Sequence, residues 1–293
     1  MYRKVPVSNR DFFFETETMD KIRVAIQGTR ASFHEEAAFK YFGQDIQTIE
    51  CETFKHTCEA LKRKEADYVV MAIENSIAGS LLPNYTLLHD YHFPVVGEVY
   101  LSIQLHLLAL PGVKLEQIRN VESHPIALRQ CADYLEEHPQ FKVTEGMDTA
   151  SCAKKIADNT LTDTAAVANQ LAAKLYGLEI LERRIETNKK NYTRFLILSN
   201  EKVENPKANK ATLLFQTDNS IGSLARVLSF FAEEQINMSK IQSMPVPGKR
   251  NEYDFYVDIE WKKQNNYDAA IRKTLKHTIN FNILGEYVKN DKI

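Results

Sequence analysis

Apolar and polar positions change period along the chain, and each change marks an element. Residues 22–26 (IRVAI) are apolar apart from Arg23 and read as a buried strand, and 34–42 (HEEAAFKYF) reads as the helix after it. A second cycle predicts a strand near 46–50, a helix near 52–64 and a strand at 68–73 (YVVMAI). Strands alternating with helices at this spacing predict an α/β layer with a parallel sheet. After Pro94 a long β-rich stretch follows (VVGEVYLSIQLHLLAL, 95–110), punctuated by Pro111-Gly112. A second α/β run predicts a strand near 119–122, a helix at 125–137, a strand at 142–145, a helix at 150–158, a strand at 164–168 and a helix at 169–176. Gly177 stands where a C-terminal helix glycine is expected. A polar, basic stretch (ERRIETNKKN) then leads into the strand TRFLILS, 193–199. Two α/β lobes joined by long strands leave a cleft between them, and such clefts bind small ligands.

Beyond a polar, proline-containing linker (201–210) the pattern is compact: strand 211–217, helix 223–235, strands 238–246 and 253–261, helix 266–279 and strand 281–287. That βαββαβ order is ferredoxin-like. The expected organisation is an extension over 1–20, a two-lobed domain over 21–200, the linker, and a small unit over 211–293. Lobe one takes about 21–104 plus 190–200, and lobe two about 105–189.

Charge and cysteine content narrow the chemistry. The 37 basic and 39 acidic side chains are interleaved, for a net charge of −2 over 293 residues, which argues against nucleic acid or an anionic membrane as the main partner. The apolar runs are far too short to span a bilayer. The first eighteen residues show no apolar core or cleavage site of a signal peptide, so a cytoplasmic setting is expected. Cys51, Cys58, Cys131 and Cys152 form no CxxC pair and no histidine pair has zinc-ligand spacing, so four reduced thiols and no metal site are expected. There is no phosphate loop, nucleophile elbow or dinucleotide fingerprint. A cofactor-free reaction on a small acid fits best.

Four places put small polar groups where a strand meets a helix. In QGTRASFHEE (27–36), Ser32 and Glu35 have capping-box spacing, so Ser32 is a structural cap or part of an anion site. In IENSIAGS (73–80), Glu74, Asn75 and Ser76 stand at the carboxyl end of a parallel strand, the usual ligand edge, although a surface turn gives the same pattern. In ESHPIALRQC (122–131), Ser123 or His124 caps a helix opened by Pro125, and His124 is also a candidate acid or base. In MDTASCAKK (147–155), Asp148 and Thr149 precede another helix. Several helix starts facing one cleft would suit a dianion. Arg183, Arg184, Lys189, Lys190 and Arg194 add a local basic excess, although such runs usually form a solvated face.

The strings GTRASFHEEAA, AIENSIAGS, SHPIALRQC, DTASCA, LYGLEIL and NYTRFLIL resemble the prephenate dehydratase family, in the family's order from about Lys21 to Ser199. The C-terminal unit resembles the ACT regulatory domain that usually follows, with IGSLARVLSFFAEEQINMSKIQSMP as its core. The resemblance implies a two-lobed, periplasmic-binding-protein-like catalytic domain with a ferredoxin-like ACT domain. It implies conversion of prephenate to phenylpyruvate with loss of carbon dioxide and water, in phenylalanine biosynthesis, without a cofactor. It also implies a homodimer or homotetramer with phenylalanine as effector. Thr193 would be the catalytic hydroxyl and Glu74 an acid or a loop-orienting group. Ser32, Asn75, Ser76, Thr149, Asn191, Arg194 and Phe195 would contact substrate, although Arg194, one residue along a strand, can instead point away from Thr193. Gly222, Ser223, Leu224, Asn237, Met238 and Ser239 would form the effector site.

The sequence departs from the family pattern. Thr29, Ala31 and Ser32 replace a proline, a glycine and a threonine; Tyr192 replaces a common lysine; Gln242 and Met244 replace an acid and an arginine in the effector motif. Loss of that charged pair predicts weaker phenylalanine inhibition. Arogenate dehydratase shares fold and motifs and is the near alternative. A two-lobed sensor that closes on a small acid is the distant one. A chorismate mutase fusion is not expected, because no roughly 90-residue helical extension precedes the motifs.

Overall fold

The computed structural model describes residues 21–290, so the expected extension over 1–20 lies outside the described residues. In chain order lobe one holds β1 (Ile22–Gln27), α1 (Phe33–Phe42), β2 (Ile46–Cys51), α2 (Phe54–Lys62), β3 (Tyr68–Asn75), β4 (Gly79–Ser80), α3 (Leu82–Tyr91) and β5 (Val95–Ser102). Lobe two holds β6 (His106–Ala109), β7 (Asn120–Ser123), α4 (Pro125–Gln130), α5 (Ala132–Glu136), β8 (Lys142–Glu145), α6 (Thr149–Asp158), β9 (Thr164–Ala168), α7 (Gln170–Tyr176) and β10 (Glu179–Glu182). Strand β11 (Tyr192–Ser199) then returns to lobe one.

The two sheets repeat one plan. Lobe one runs β2-β1-β3-β11-β5, and lobe two, read from its other end, runs β8-β7-β9-β6-β10. In each, three parallel strands are followed by antiparallel ones. The inserted antiparallel strand comes from across the crossover, so two connections, 103–105 and 183–191, join the lobes.

The C-terminal unit comprises β12 (Lys210–Gln216), α8 (Ser223–Glu233), β13 (Asn237–Pro245), β14 (Tyr253–Glu260), α9 (Gln264–Lys276) and β15 (Ile279–Tyr287), in an antiparallel sheet of order β13-β14-β12-β15. Side chains alternate across each strand. Ala211, Leu213 and Phe215 therefore pack with Val227 and Phe231 of α8, while Leu214, Tyr256 and Tyr287 pack with Leu196, Leu198 and Val95 of lobe one. At Gly285 an added Cβ would stand 1.8 Å from the Val95 carbonyl oxygen, so the close approach of β15 to β5 requires glycine.

The structure differs from the sequence expectation at four places, the short unanticipated strand β4 among them. Helix α3 was not anticipated; its buried positions include Asn84, whose Nδ2 donates to the Ala72 carbonyl at 2.6 Å, so no apolar stripe announces it. The helix expected over 125–137 breaks at Cys131 (φ −109°) into α4 and α5. Strand β10 pairs with β6 across a bulge just before the basic stretch. Among the described residues no helix is long and apolar enough to cross a membrane. All four cysteines are buried and free.

Candidate active site

A cavity of about 260 Å³ opens between the lobes. The four polar turns singled out in the sequence all reach it, through Ser32, Asn75, His124, and Asp148 with Thr149. Each owes its place to local structure. Ser32 is the N-cap of α1, its Oγ accepting the Glu35 N–H at 3.3 Å. The capping box is half made: Glu35 turns instead to the Ala31 N–H (2.5 Å) and the Thr48 hydroxyl (2.7 Å). Ala31, where the family pattern has glycine, takes φ +62°. His124 caps α4 by accepting the Ile126 N–H, and burial lowers its pKa, so it is a neutral cap. Asp148 caps α6 in a reciprocal box with Ser151.

Thr193 and Asn75 form the polar centre. They face each other across the β3–β11 ladder, and Asn75 Nδ2 donates to Thr193 Oγ1 at 3.0 Å. The amide cannot turn over, because its Oδ1 accepts the N–H groups of Ile77 (3.0 Å) and Ala78 (2.8 Å). With a lone pair of Thr193 engaged by a fixed donor, its own O–H hydrogen remains for a ligand. Asn75 Nδ2 also donates to Asn191 Oδ1 (2.7 Å), and Asn191 Nδ2 to Gln130 Oε1 (3.0 Å), a chain that crosses between lobes. Phe195 supplies apolar wall from the same strand.

Other expected site residues fall elsewhere. Arg194 is not in the cleft. Alternation on β11 sends it to the opposite face, where it is 2% exposed and bonded to Glu98, Asp258 and the Tyr287 hydroxyl. Burial would lower its pKa, but Asp258, Tyr287 and Glu98 around it raise it well above the ordinary arginine value. Glu74 shares that outer face, paired with Lys240 and Arg194, and does not line the cavity. Ser76 braces the turn instead: its Oγ accepts the Tyr192 N–H (2.9 Å) and donates to the Lys190 carbonyl (3.2 Å). Asn191 stands behind Asn75 rather than on the wall. Of the basic run, Lys189 binds the Arg184 and Glu186 carbonyls and Arg184 pairs with Glu186; none of these side chains lines the cavity. Asp148 is the one formally charged side chain on the cavity wall among the described residues.

Sequence reasoning missed His34, Gln27, Gln130 and Met147, which also line the cavity. His34 sits edge-on to Phe54 and Phe195, each 5.2 Å away, with Nε2 buried and without a hydrogen-bond partner among the described residues. Burial pushes its pKa down to about 4, so it is neutral near pH 7. Only its position beside Ser32 could have drawn attention to it.

Fold and site define a two-lobed α/β protein with hydroxyl, amide and helix-start groups around a cavity between the lobes. A family model described as prephenate dehydratase matches residues 24–203. The chain is 37% identical over 299 residues to an arogenate dehydratase/prephenate dehydratase of Arabidopsis thaliana, covering 96% of this chain and 77% of that one. Among solved structures, a prephenate dehydratase in complex with L-Phe from Arthrobacter aurescens superposes with a TM-score of 0.82 at 26% identity, covering 93% of this chain and 91% of that one. A quorum quenching acylase superposes equally well (TM-score 0.82, 29% identity, 92% and 98% covered). The chain belongs to the prephenate dehydratase family.

Proposed function

We propose that this enzyme converts prephenate to phenylpyruvate, with Thr193 as the hydroxyl that serves the leaving group. The observation that carries the reading is the fixed Asn75–Thr193 hydrogen bond at the centre of the cleft. As the ring carboxylate leaves as carbon dioxide, its bonding pair enters the ring and expels the hydroxyl, which departs as water after gaining a proton. Thr193 donates to that oxygen as charge builds on it. The N-terminal residues of α1 and α6 line the cavity, where free first-turn N–H groups favour the remaining carboxylate. Turnover of prephenate followed by phenylpyruvate absorbance, beside Thr193→Ala, tests the reading.

Arogenate is the second reading, favoured by one observation. A wall whose formal charge is the Asp148 carboxylate suits the ammonium of arogenate better than a keto group. Comparing kcat/KM on the two substrates decides between them. Acylase activity, named for the other structural neighbour, is disfavoured. A hydroxyl nucleophile needs an adjacent base, and the hydrogen-bond partner of Thr193 Oγ1 among the described residues is an amide N–H.

The C-terminal unit is, in this reading, an ACT domain that binds phenylalanine. Gly222, Ser223 and Leu224 stand at the start of α8 and Asn237, Met238 and Ser239 just beyond its end. A helix of 11 residues separates them by about 16 Å. One small effector touching both groups therefore requires a second copy of the chain, which supports a homodimer or homotetramer.

A further inference from the structure

The back of the Thr193 strand is held by the C-terminal unit. Thr193 pairs with Asn75 across the β3–β11 ladder and Arg194 with Glu74 on the next rung, so the two pairs face opposite sides of one sheet. A register shift follows between Arg194 and Phe195, which makes these rungs the last regular ones before a bulge. On the outer side Arg194 donates to Glu98 (2.7 Å) within lobe one, and to Asp258 of β14 and Tyr287 of β15 (3.1 Å). Asp258 is itself oriented by Thr212 Oγ1 at 2.7 Å. Lys240 of β13 binds Glu74 and also reaches Ser80 Oγ at 3.2 Å. Glu74 and Ser80 are paired across the short β3–β4 hairpin, and the turn between them carries the Ile77 and Ala78 N–H groups that orient Asn75. One ammonium from the C-terminal unit thus grips both ends of the turn that fixes the amide bonded to Thr193.

Charges buried in this way are costly, and well-packed apolar side chains would hold two sheets together as firmly. What an apolar patch lacks is direction. We propose that Lys240 and Asp258 are positioning residues for the reaction: their ion pairs with Glu74 and Arg194 fix the rungs that present Asn75 and Thr193 to the cavity. The C-terminal unit then contributes to turnover itself, in addition to any effector it binds. The proposal rests on the reading of Thr193 as the catalytic hydroxyl.

Lys240→Met, Lys240→Arg and Asp258→Asn, each checked for an unaltered melting profile, are compared with wild type on prephenate and arogenate. Lys240 is the less buried of the two, so Lys240→Met carries the test if Asp258→Asn does not fold. The expected result is a kcat about tenfold lower for Lys240→Met with KM within about twofold, and recovery of most of the loss by Lys240→Arg. In an Asn75→Ala background, Lys240→Met should lower kcat by less than about twofold further, because the effect passes through Asn75. A wild-type kcat for Lys240→Met, or a full tenfold loss retained without Asn75, would overturn the proposal while leaving the dehydratase reading intact. A folded wild type that turns over neither substrate would remove both.

Discussion

Thr193 differs from an ordinary strand threonine through the amide that donates to its oxygen, and that amide is locked by two backbone N–H groups. Thr193→Ala should lower kcat by roughly 10²–10³-fold with a small change in KM, the loss typical of one donor aimed at developing charge. Thr193→Ser should retain most of the activity, since the hydroxyl survives. His34 makes a separate prediction about stability. The unfolded chain takes up a proton at this position near pH 6.5, whereas the native protein does not until about pH 4. Its folded pKa is depressed, so stability is full above pH 6.5 and declines as the pH falls between those values, by roughly 3 kcal/mol in total. Urea denaturation of wild type and His34→Gln at pH 7 and pH 5 checks this; the variant should lose less on acidification. Ala31 shows why one departure from the family pattern is tolerated. A left-handed residue that favours glycine costs an alanine roughly 1–2 kcal/mol, and Ala31 is fully buried in the apolar cluster that includes Leu108 and Ala150 of lobe two.

At the level of elements, β15 against β5 is the tightest seam between the C-terminal unit and lobe one. Gly285→Ala would press a methyl onto the Val95 carbonyl, and should destabilise the protein by about 1–3 kcal/mol, read as a lower melting temperature. The strands were legible in the sequence because covered strands carry short apolar runs at their centres, as in 24–26, 69–73 and 195–198. Helix α3 was not, because Asn84 takes an inward position through a bond to Ala72 that no local pattern encodes. The candidate site was legible as four polar turns, each of which alone reads as a cap. Their convergence is tertiary. The outward course of Arg194 was foreseeable from strand alternation, but its partners Asp258 and Tyr287 lie 64 and 93 residues away. Lys240 lies 166 residues from Glu74, and no spacing rule reaches that far.

Across the whole molecule, one sheet is shared in its consequences by three units: lobe one presents Thr193, lobe two closes the cavity with His124 and Thr149, and the C-terminal unit holds Arg194 from behind. Met244, where the effector motif of the family has arginine, packs against the apolar cluster between the C-terminal unit and lobe one, which includes Leu214 and Tyr256 of the former and Leu196 and Leu198 of the latter. With Gln242 and Met244 in place of the charged pair, phenylalanine should inhibit only well above the low micromolar range. Light scattering should give two or four times the 33.7 kDa chain mass, as a shared effector site requires. The most direct test of the account is the rate of phenylpyruvate formation from prephenate by purified wild type and by Thr193→Ala. Wild type should turn over steadily without added metal or cofactor, and the folded variant should lose that turnover. Turnover that survives the loss of the Thr193 hydroxyl would contradict the account.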